Sequence, residues 1–257
     1  MASEEFNAAI VLAAGKGKRM GTDTPKQYLH LFGHPLIWYS LREFETHPQV
    51  QMVVLVCGPE DAAYCREHII EPYKFHKVTA IVPGGNERYD SVWNAMQEIR
   101  RQEENGQIPK CSNVMVHDGA RPLISAKILD RCLEGARKYG ACAVGMPAKD
   151  TIKICEQDGT VVQTPDRAGL WTVQTPQTFR FDLLYEAYCR LYENMPEGIT
   201  DDAMVIEKMT DHKVRMVEGA YRNIKITTPE DMALARIYMT NENDNITFRL
   251  HETGPEK

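Results

Sequence analysis

The sequence predicts an α/β fold, a mostly parallel sheet with helices on both faces, on three observations. Short apolar runs recur along the chain, segments with helical spacing separate them, and the first run ends in a glycine turn loaded with cations. Alternating strands and helices bury a sheet on both faces, and ligands then sit beyond the carboxyl ends of the strands. At 257 residues with 43% hydrophobic content, the chain is long enough to bury such a core.

The first apolar run, Ala8 to Ala14, reads as a buried strand. It passes into Gly15-Lys16-Gly17-Lys18-Arg19-Met20-Gly21, followed by Pro25-Lys26-Gln27. Gly15 and Gly17 let the backbone come close to a ligand with its N–H groups facing an anion, and Lys16, Lys18, Arg19 and Lys26 add positive charge. A solvated basic turn is the plain alternative for these residues taken alone. A P-loop is absent, because Thr22 has no Lys before it. A dinucleotide fingerprint fits poorly, since the third glycine falls one place late and the next strand ends at Cys57 instead of an acidic residue. What remains is a phosphate cradle suited to a nucleotide or sugar phosphate.

Met52 to Cys57 and Val78 to Val82 read as the next strands. Arg88 to Glu104 reads as a helix, because Val92, Ala95, Met96 and Ile99 fall at i, i+3, i+4 and i+7 on one face. Asn113 to His117 is a further strand whose end carries His117-Asp118-Gly119-Ala120-Arg121-Pro122, and Ala141 to Met146 follows it. Between Pro147 and Trp171 the pattern changes. Lys149 to Ile154 and Thr160 to Thr164 alternate polar and β-branched residues around Asp158-Gly159, which predicts a protruding β-hairpin. A lone two-stranded excursion is marginally stable. Residues 147–171 are therefore expected to form an arm that packs on a partner subunit in a homodimer, with a hairpin folded back on its own domain as the alternative. Thr228, Pro229 and Asp231 mark the start of the last helix, ahead of Met232, Leu234, Ala235 and Tyr238. The whole of 1–240 reads as a single domain, and the polar run after Thr240 predicts a flexible tail over 241–257.

A net charge of −6 argues against general nucleic-acid binding, so the basic loop is aimed at a small anion. The cysteines, Cys57, Cys65, Cys111, Cys132, Cys142, Cys155 and Cys189, are odd in number and form no Cys-x-x-Cys pair. That spacing predicts neither a disulfide framework nor a zinc site, and points to a reduced, cytoplasmic compartment. No basic n-region opens the chain and no apolar run approaches membrane-spanning length, so a soluble protein is expected.

The opening loop is followed in order by Gly84-Gly85-Asn86-Glu87-Arg88 with Ser91, His117 to Pro122, and Asp150-Thr151-Ile152-Lys153. Then come Asp166-Arg167 with Leu170-Trp171, Gln174-Thr175-Pro176-Gln177, Thr200-Asp201-Asp202, and Asn223-Ile224-Lys225. In that order and spacing the chain, from about Ala8 to Met239, resembles the 2-C-methyl-D-erythritol 4-phosphate cytidylyltransferases of non-mevalonate isoprenoid synthesis. The resemblance implies a Rossmann-like nucleotidyltransferase fold and transfer of a cytidylyl group from CTP to a polyol phosphate, with Mg²⁺ as cofactor and pyrophosphate released. It implies that Arg19 and Lys26 stabilise the pentacovalent transition state, and that Lys225 and Arg167 hold the attacking phosphate. Arg121, Thr151, Thr175 and Thr200 would complete that pocket, with Thr151 and Arg167 reaching over from the neighbouring subunit's arm. Ala13, Ala14, Gly15, Gly85, Asn86, Ser91 and Gly119 would line the nucleotide. Asp118 would either stand near the metal or merely cap the turn after its strand.

A phosphate monoester has a second pKa of about 6, so the nucleophile is ionised at neutral pH without a general base. The chemistry then reduces to aligning two anions and neutralising charge at phosphorus, which explains the Lys and Arg content. Two departures affect the pockets: Asn86 stands where many relatives carry Asp, and Arg222 precedes Asn223 where they often have a small or acidic residue. Ribitol 5-phosphate cytidylyltransferases share the Gln174 to Phe179 segment, but tend to have Ala-Gly-Gly at Ala13-Ala14-Gly15 and lack the Asp-Gly-Ala-Arg-Pro form. A non-catalytic nucleotide-binding protein of the same fold is the remaining alternative.

Overall fold

A computed structural model describes residues 5–15 and 25–240. In chain order it has β1 (Phe6–Ala13), a 3-10 turn (Lys26–Tyr28), β2 (His30–Leu31), β3 (His34–Pro35), α1 (Leu36–Thr46) and β4 (Met52–Cys57). Next are α2 (Ala62–Cys65) running into a π turn (Arg66–Ile70), β5 (Val78–Pro83), α3 (Arg88–Glu104), β6 (Cys111–Asp118), α4 (Ala126–Tyr139) and β7 (Ala141–Pro147). They are followed by β8 (Ile154–Cys155), β9 (Val161–Gln163), a 3-10 turn (Arg167–Gly169), β10 (Trp171–Arg180), α5 (Phe181–Asn194), α6 (Asp202–Met209), β11 (Arg215–Glu218) and α7 (Pro229–Thr240).

Seven strands form one sheet in the order β11-β7-β10-β6-β1-β4-β5. All neighbours are parallel except β10, which runs antiparallel to both β6 and β7. The predicted mostly parallel sheet is therefore present, with each of the expected strands in it. Burial on both faces explains the continuous apolar runs: in β1, Ala9, Val11 and Ala13 pack toward α1, while Ala8 and Ile10 pack toward α3. Val92, Ala95, Met96 and Ile99 of α3 are all fully buried, as their spacing requires. The start of α7 is fixed by Asp231 Oδ2, which accepts from the Thr227 and Thr228 amides at 2.8 and 2.9 Å.

Two strands of this sheet, β10 and β11, are not legible in the sequence, nor is the pair of two-residue strands β2 and β3. β10 contains Gln174 to Gln177, and its register with β7 shifts between Val173 and Gln177, where Pro176 lacks an N–H. A proline inside a central strand argues against a strand by pattern, and only the register shift accommodates it. β11 is four residues long, too short for periodicity to show.

The predicted hairpin is also present, as β8 paired antiparallel with β9, and Gly159 takes φ +88° at its turn. Its side chains are exposed, including Ile152, Ile154, Val161 and Val162, and Trp171 and Val173 at the start of β10 continue that surface. Residues 241–257, expected as a tail, and Lys16 to Thr24 lie outside the described residues.

Strand order changes direction between β1, followed by β4 on one side, and β6 on the other, so the carboxyl ends of β1 and β6 bound a crevice. Close packing holds the far end of the sheet. A Cβ on Gly145 of β7 would lie 2.5 Å from Met216 Cε and 2.9 Å from the Thr172 carbonyl oxygen. Gly145→Ala is accordingly expected to lower unfolding free energy by about 1–3 kcal/mol through overpacking, read as a reduced denaturant midpoint with unchanged m-value.

Candidate active site

At that crevice a cleft of about 260 Å³ is lined by Leu12, Ala13, Ala14, Gly15, Lys26 and Gln27 from the first crossover. Gly85, Asn86, Glu87, Arg88 and Ser91 line it from the start of α3, and Asp118, Ala120 and Lys225 from the other side. Each segment is pinned by bonds that its own sequence supplies. The Gln27 amide donates to the Ala13 carbonyl, tying the 3-10 turn to the end of β1, and Lys26 Nζ donates to the Ile226 carbonyl at 3.0 Å. The Gly84 amide donates to Cys57 O at 2.8 Å, and the Gly85 amide to Ser91 Oγ at 3.0 Å. There is no room here for side chains: a Cβ on Gly84 would lie 2.3 Å from Ala14 Cβ, and one on Gly85 2.2 Å from Asp90 Cβ. The amino end of α3 thus faces the cleft, and helix N-termini favour anions.

Charge in the cleft centres on Asp118 at the end of β6. Its Oδ2 lies 2.7 Å from Lys225 Nζ and its Oδ1 3.5 Å from Arg88 Nε. Burial pushes the Asp118 carboxyl up, but the Arg88 guanidinium and the Lys225 ammonium outweigh it and hold it well below the ordinary carboxylate range. Arg88 in turn pairs with the fully buried Asp202 at 2.8 Å, whose other oxygen accepts from Tyr188 at 2.6 Å. Burial alone would lower the Arg88 guanidinium, yet Asp202 and Asp118 raise it, so it stays charged. Gln177 of β10 then locks the start of α6: its Oε1 accepts from the amides of Asp202 and Ala203, both at 3.0 Å, and its Nε2 donates to Asp201 at 2.7 Å.

The Lys225 loop is held as tightly. Asn223, fully buried, donates to Thr175 O at 3.0 Å and to Gln174 Oε1 at 3.2 Å, and its carbonyl accepts from Arg121 Nη1 at 2.7 Å. Next to Asp118, His117 is fully buried, and burial pushes its imidazole down to about 3.

Of the residues singled out in the sequence, Ala13, Ala14, Gly15, Lys26, Gly85, Asn86, Ser91, Asp118 and Lys225 all line one cleft. Gly119 lies just behind it, its amide donating to Leu12 O at 2.9 Å. Thr175 and Arg121 are behind the wall, Thr175 accepting from the Asp118 amide at 3.0 Å. Thr200 is exposed before α6, and Thr151 and Arg167 are exposed on the hairpin segment, where Arg167 donates to Lys149 O at 2.8 Å. Arg19 lies outside the described residues. Arg88, Asp202 and Gln177 received no role from the sequence. Arg88 and Asp202 sit within the quoted motifs, but their pairing spans more than a hundred residues, and nothing local signals it.

Over residues 7–241 the chain matches the family model described as 2-C-methyl-D-erythritol 4-phosphate cytidylyltransferase. A relative of that name from Lachnospira eligens is 47% identical over 235 residues, covering 91% of this chain and 99% of its own. Another from Alkaliphilus oremlandii is 44% identical, covering 89% of this chain and 92% of its own. Among solved structures, 4-diphosphocytidyl-2C-methyl-D-erythritol synthase from Anaerococcus prevotii superposes with a TM-score of 0.77 at 30% identity, covering 92% and 96% of the two chains. The cytidylyltransferase of Thermus thermophilus superposes at 0.69 and 26% identity, covering 90% and 97%.

Because the Asp118 pKa is depressed on folding, its contribution to stability is present above the ordinary value of 3.8 and is lost as pH falls below it. Asp118→Asn is expected to cost about 1–3 kcal/mol near neutrality, with the gap to wild type narrowing on acidification. Denaturant titrations across the acid range check this, and a gap that persists unchanged in acid would refute it.

Proposed function

The chain belongs to the 2-C-methyl-D-erythritol 4-phosphate cytidylyltransferase family, and from that premise we propose the reaction and the roles of its residues. The enzyme transfers the cytidylyl group of CTP to 2-C-methyl-D-erythritol 4-phosphate, giving 4-CDP-2-C-methyl-D-erythritol and pyrophosphate, a step in isoprenoid precursor synthesis. The observation that carries the reading is the convergence of Lys26 and Lys225 on a cleft with Gly15 and Gly85 on one side and a buried carboxylate on the other.

Ala13, Ala14, Gly15 and Gly85, with Ser91 and Asn86, line the nucleotide at the amino end of α3, and Gly119 backs that wall through its bond to Leu12. Lys225 meets the attacking phosphate, which is anionic at neutral pH and needs no base. Lys26, with Arg19, stabilises the charge that grows on the α-phosphorus in the transition state, so its effect falls on rate more than on binding. Arg121 and Thr175 support the phosphate subsite from behind, and Thr200 completes it.

Among the described residues no cluster of three or more His, Cys, Asp or Glu could hold a metal. The ionised Asp118 carboxylate in the cleft fits Mg²⁺ carried largely by the triphosphate, and would be the protein group that approaches it. When bound, the ion neutralises phosphate charge.

We further propose that the chain works as a cytoplasmic homodimer. The exposed apolar hairpin surface of Ile152, Ile154, Val161 and Val162, continued by Trp171 and Val173, supports this. In that dimer the partner subunit's Thr151 and the partner's Arg167 complete each phosphate subsite. The net charge of −6 fits neither nucleic acid nor an anionic membrane surface as a partner.

Three measurements test these roles. Pyrophosphate release from CTP with 2-C-methyl-D-erythritol 4-phosphate is the expected activity, and a preference for ribitol 5-phosphate overturns the substrate. Lys26→Ala should lower kcat about 10²- to 10³-fold with little change in KM for CTP, whereas equal effects on both would indicate a binding role alone. Mixing the Arg167→Ala and Lys225→Ala chains, each nearly inactive, should restore roughly a quarter of wild-type activity, because half of the dimers then hold one intact composite site. No recovery on mixing rules out the shared site.

A further inference from the structure

His117 takes no part in the chemistry above, yet it sits at the centre of a closed set of bonds around the site. The Asp118 amide donates to Thr175 Oγ1 at 3.0 Å, and Thr175 Oγ1 lies 3.1 Å from His117 Nδ1. On the other side of the ring, Nε2 lies 3.2 Å from Ser40 Oγ, and Ser40 Oγ donates to the Arg121 carbonyl at 3.2 Å. The Arg121 amide returns to the Asp118 carbonyl at 2.9 Å, which closes the ring of contacts. His117 and Ser40 are 0% exposed and Thr175 5%, and the Phe44 ring packs edge-on against the imidazole at 5.5 Å.

The backbone carbonyls of Arg121 and Thr175 also bond the His117 ring, and the direction through the hydroxyls is set by the proton of Ser40. The Arg121 carbonyl can only accept, so the Ser40 proton goes there and Ser40 has a lone pair left for Nε2. Nε2 must then carry the proton. A fully buried ring without a carboxylate bonded to it stays neutral, since an unpaired buried charge is costly. Nδ1 is therefore an acceptor and takes the Thr175 proton, while the Thr175 oxygen accepts from Asp118.

We propose that His117 is a positioning residue for the nucleotidyl transfer, its Nε2-protonated ring linking Thr175 of β10 to Ser40 of α1 and so fixing the turn from Asp118 to Arg121. Through that turn it sets the Asp118 carboxylate, and with it Lys225, against the cleft. The Thr175 proton is committed to His117, so Thr175 acts through the Asp118 backbone and does not donate to a phosphate oxygen. The kinetic part of this proposal rests on the cytidylyltransferase reading, and the structural part does not.

Nitrogen NMR of the wild-type protein labelled with ¹⁵N-histidine reads the ring directly, with the His117 signals assigned by their loss in His117→Asn. A protonated Nε2 beside a bare Nδ1 is expected, and protonation at Nδ1 or at both nitrogens overturns the relay whether or not any variant folds. In kinetics, His117→Phe keeps the ring shape without its bonds. It should lower kcat about ten- to a hundredfold and leave KM for CTP near wild type. His117→Asn, which keeps an acceptor near the place of Nδ1, should recover part of that loss. Equal activity in all three proteins, or equal loss in both variants, reduces His117 to packing. A wild-type chain with the expected tautomer but no cytidylyl transfer would instead sink the functional reading and leave the relay intact.

Discussion

The site depends on one buried carboxylate and the cations that make its burial tolerable. Asp118 ends β6 almost out of reach of water, and an isolated carboxylate there would take up a proton instead of staying charged. Arg88 and Lys225 prevent this, and they come from opposite directions along the chain. Arg88 brings the first turn of α3 to the cleft, and Lys225 brings the loop before α7. One charge thus sets the distance between the segment read as nucleotide-binding and the segment read as phosphate-binding. The arrangement extends inward through Asp202 and Tyr188, so the position of Asp118 is braced from the core as well as from the surface.

Sheet topology makes this convergence possible. Parallel strands deliver all their carboxyl ends to one edge, which brings the ends of β1 and β6 and the loop after β5 together. The antiparallel β10 brings something different. Its middle, not its end, lies beside β6, so Gln174, Thr175 and Gln177 reach outward to the Asn223 loop, the Asp118 amide and the start of α6. A wholly parallel sheet would have put a helix crossover there, and no single strand could then tie those elements to one another.

This division also explains what could be read from the chain before its fold was known. The strands buried on both faces are plain apolar runs, and the face of α3 follows from four side chains. The cleft-lining glycines, Lys26 and Asp118 were legible because ligand contact concentrates in short segments at strand ends. Arg88, Asp202 and His117 were not legible as structure. Their partners are far away in sequence, and an arginine at the first turn of a helix looks like a solvated residue until the carboxylates that hold it are known. β10 is hidden in the sequence because Pro176 contradicts the strand pattern and only a shift in register reconciles the two.

The two margins of the sheet carry a consequence of their own. β11, on one margin, is short and flanked by the charges of Arg215 and Glu218; β5, on the other, ends in Pro83, which has no amide to offer. Neither margin is a good template for another chain to extend, and long, flat, apolar margins are where proteins recruit copies of themselves into fibrils. Extension of this sheet by another molecule is thus hindered at both margins, and the β8–β9 hairpin, outside the sheet, keeps its strands open.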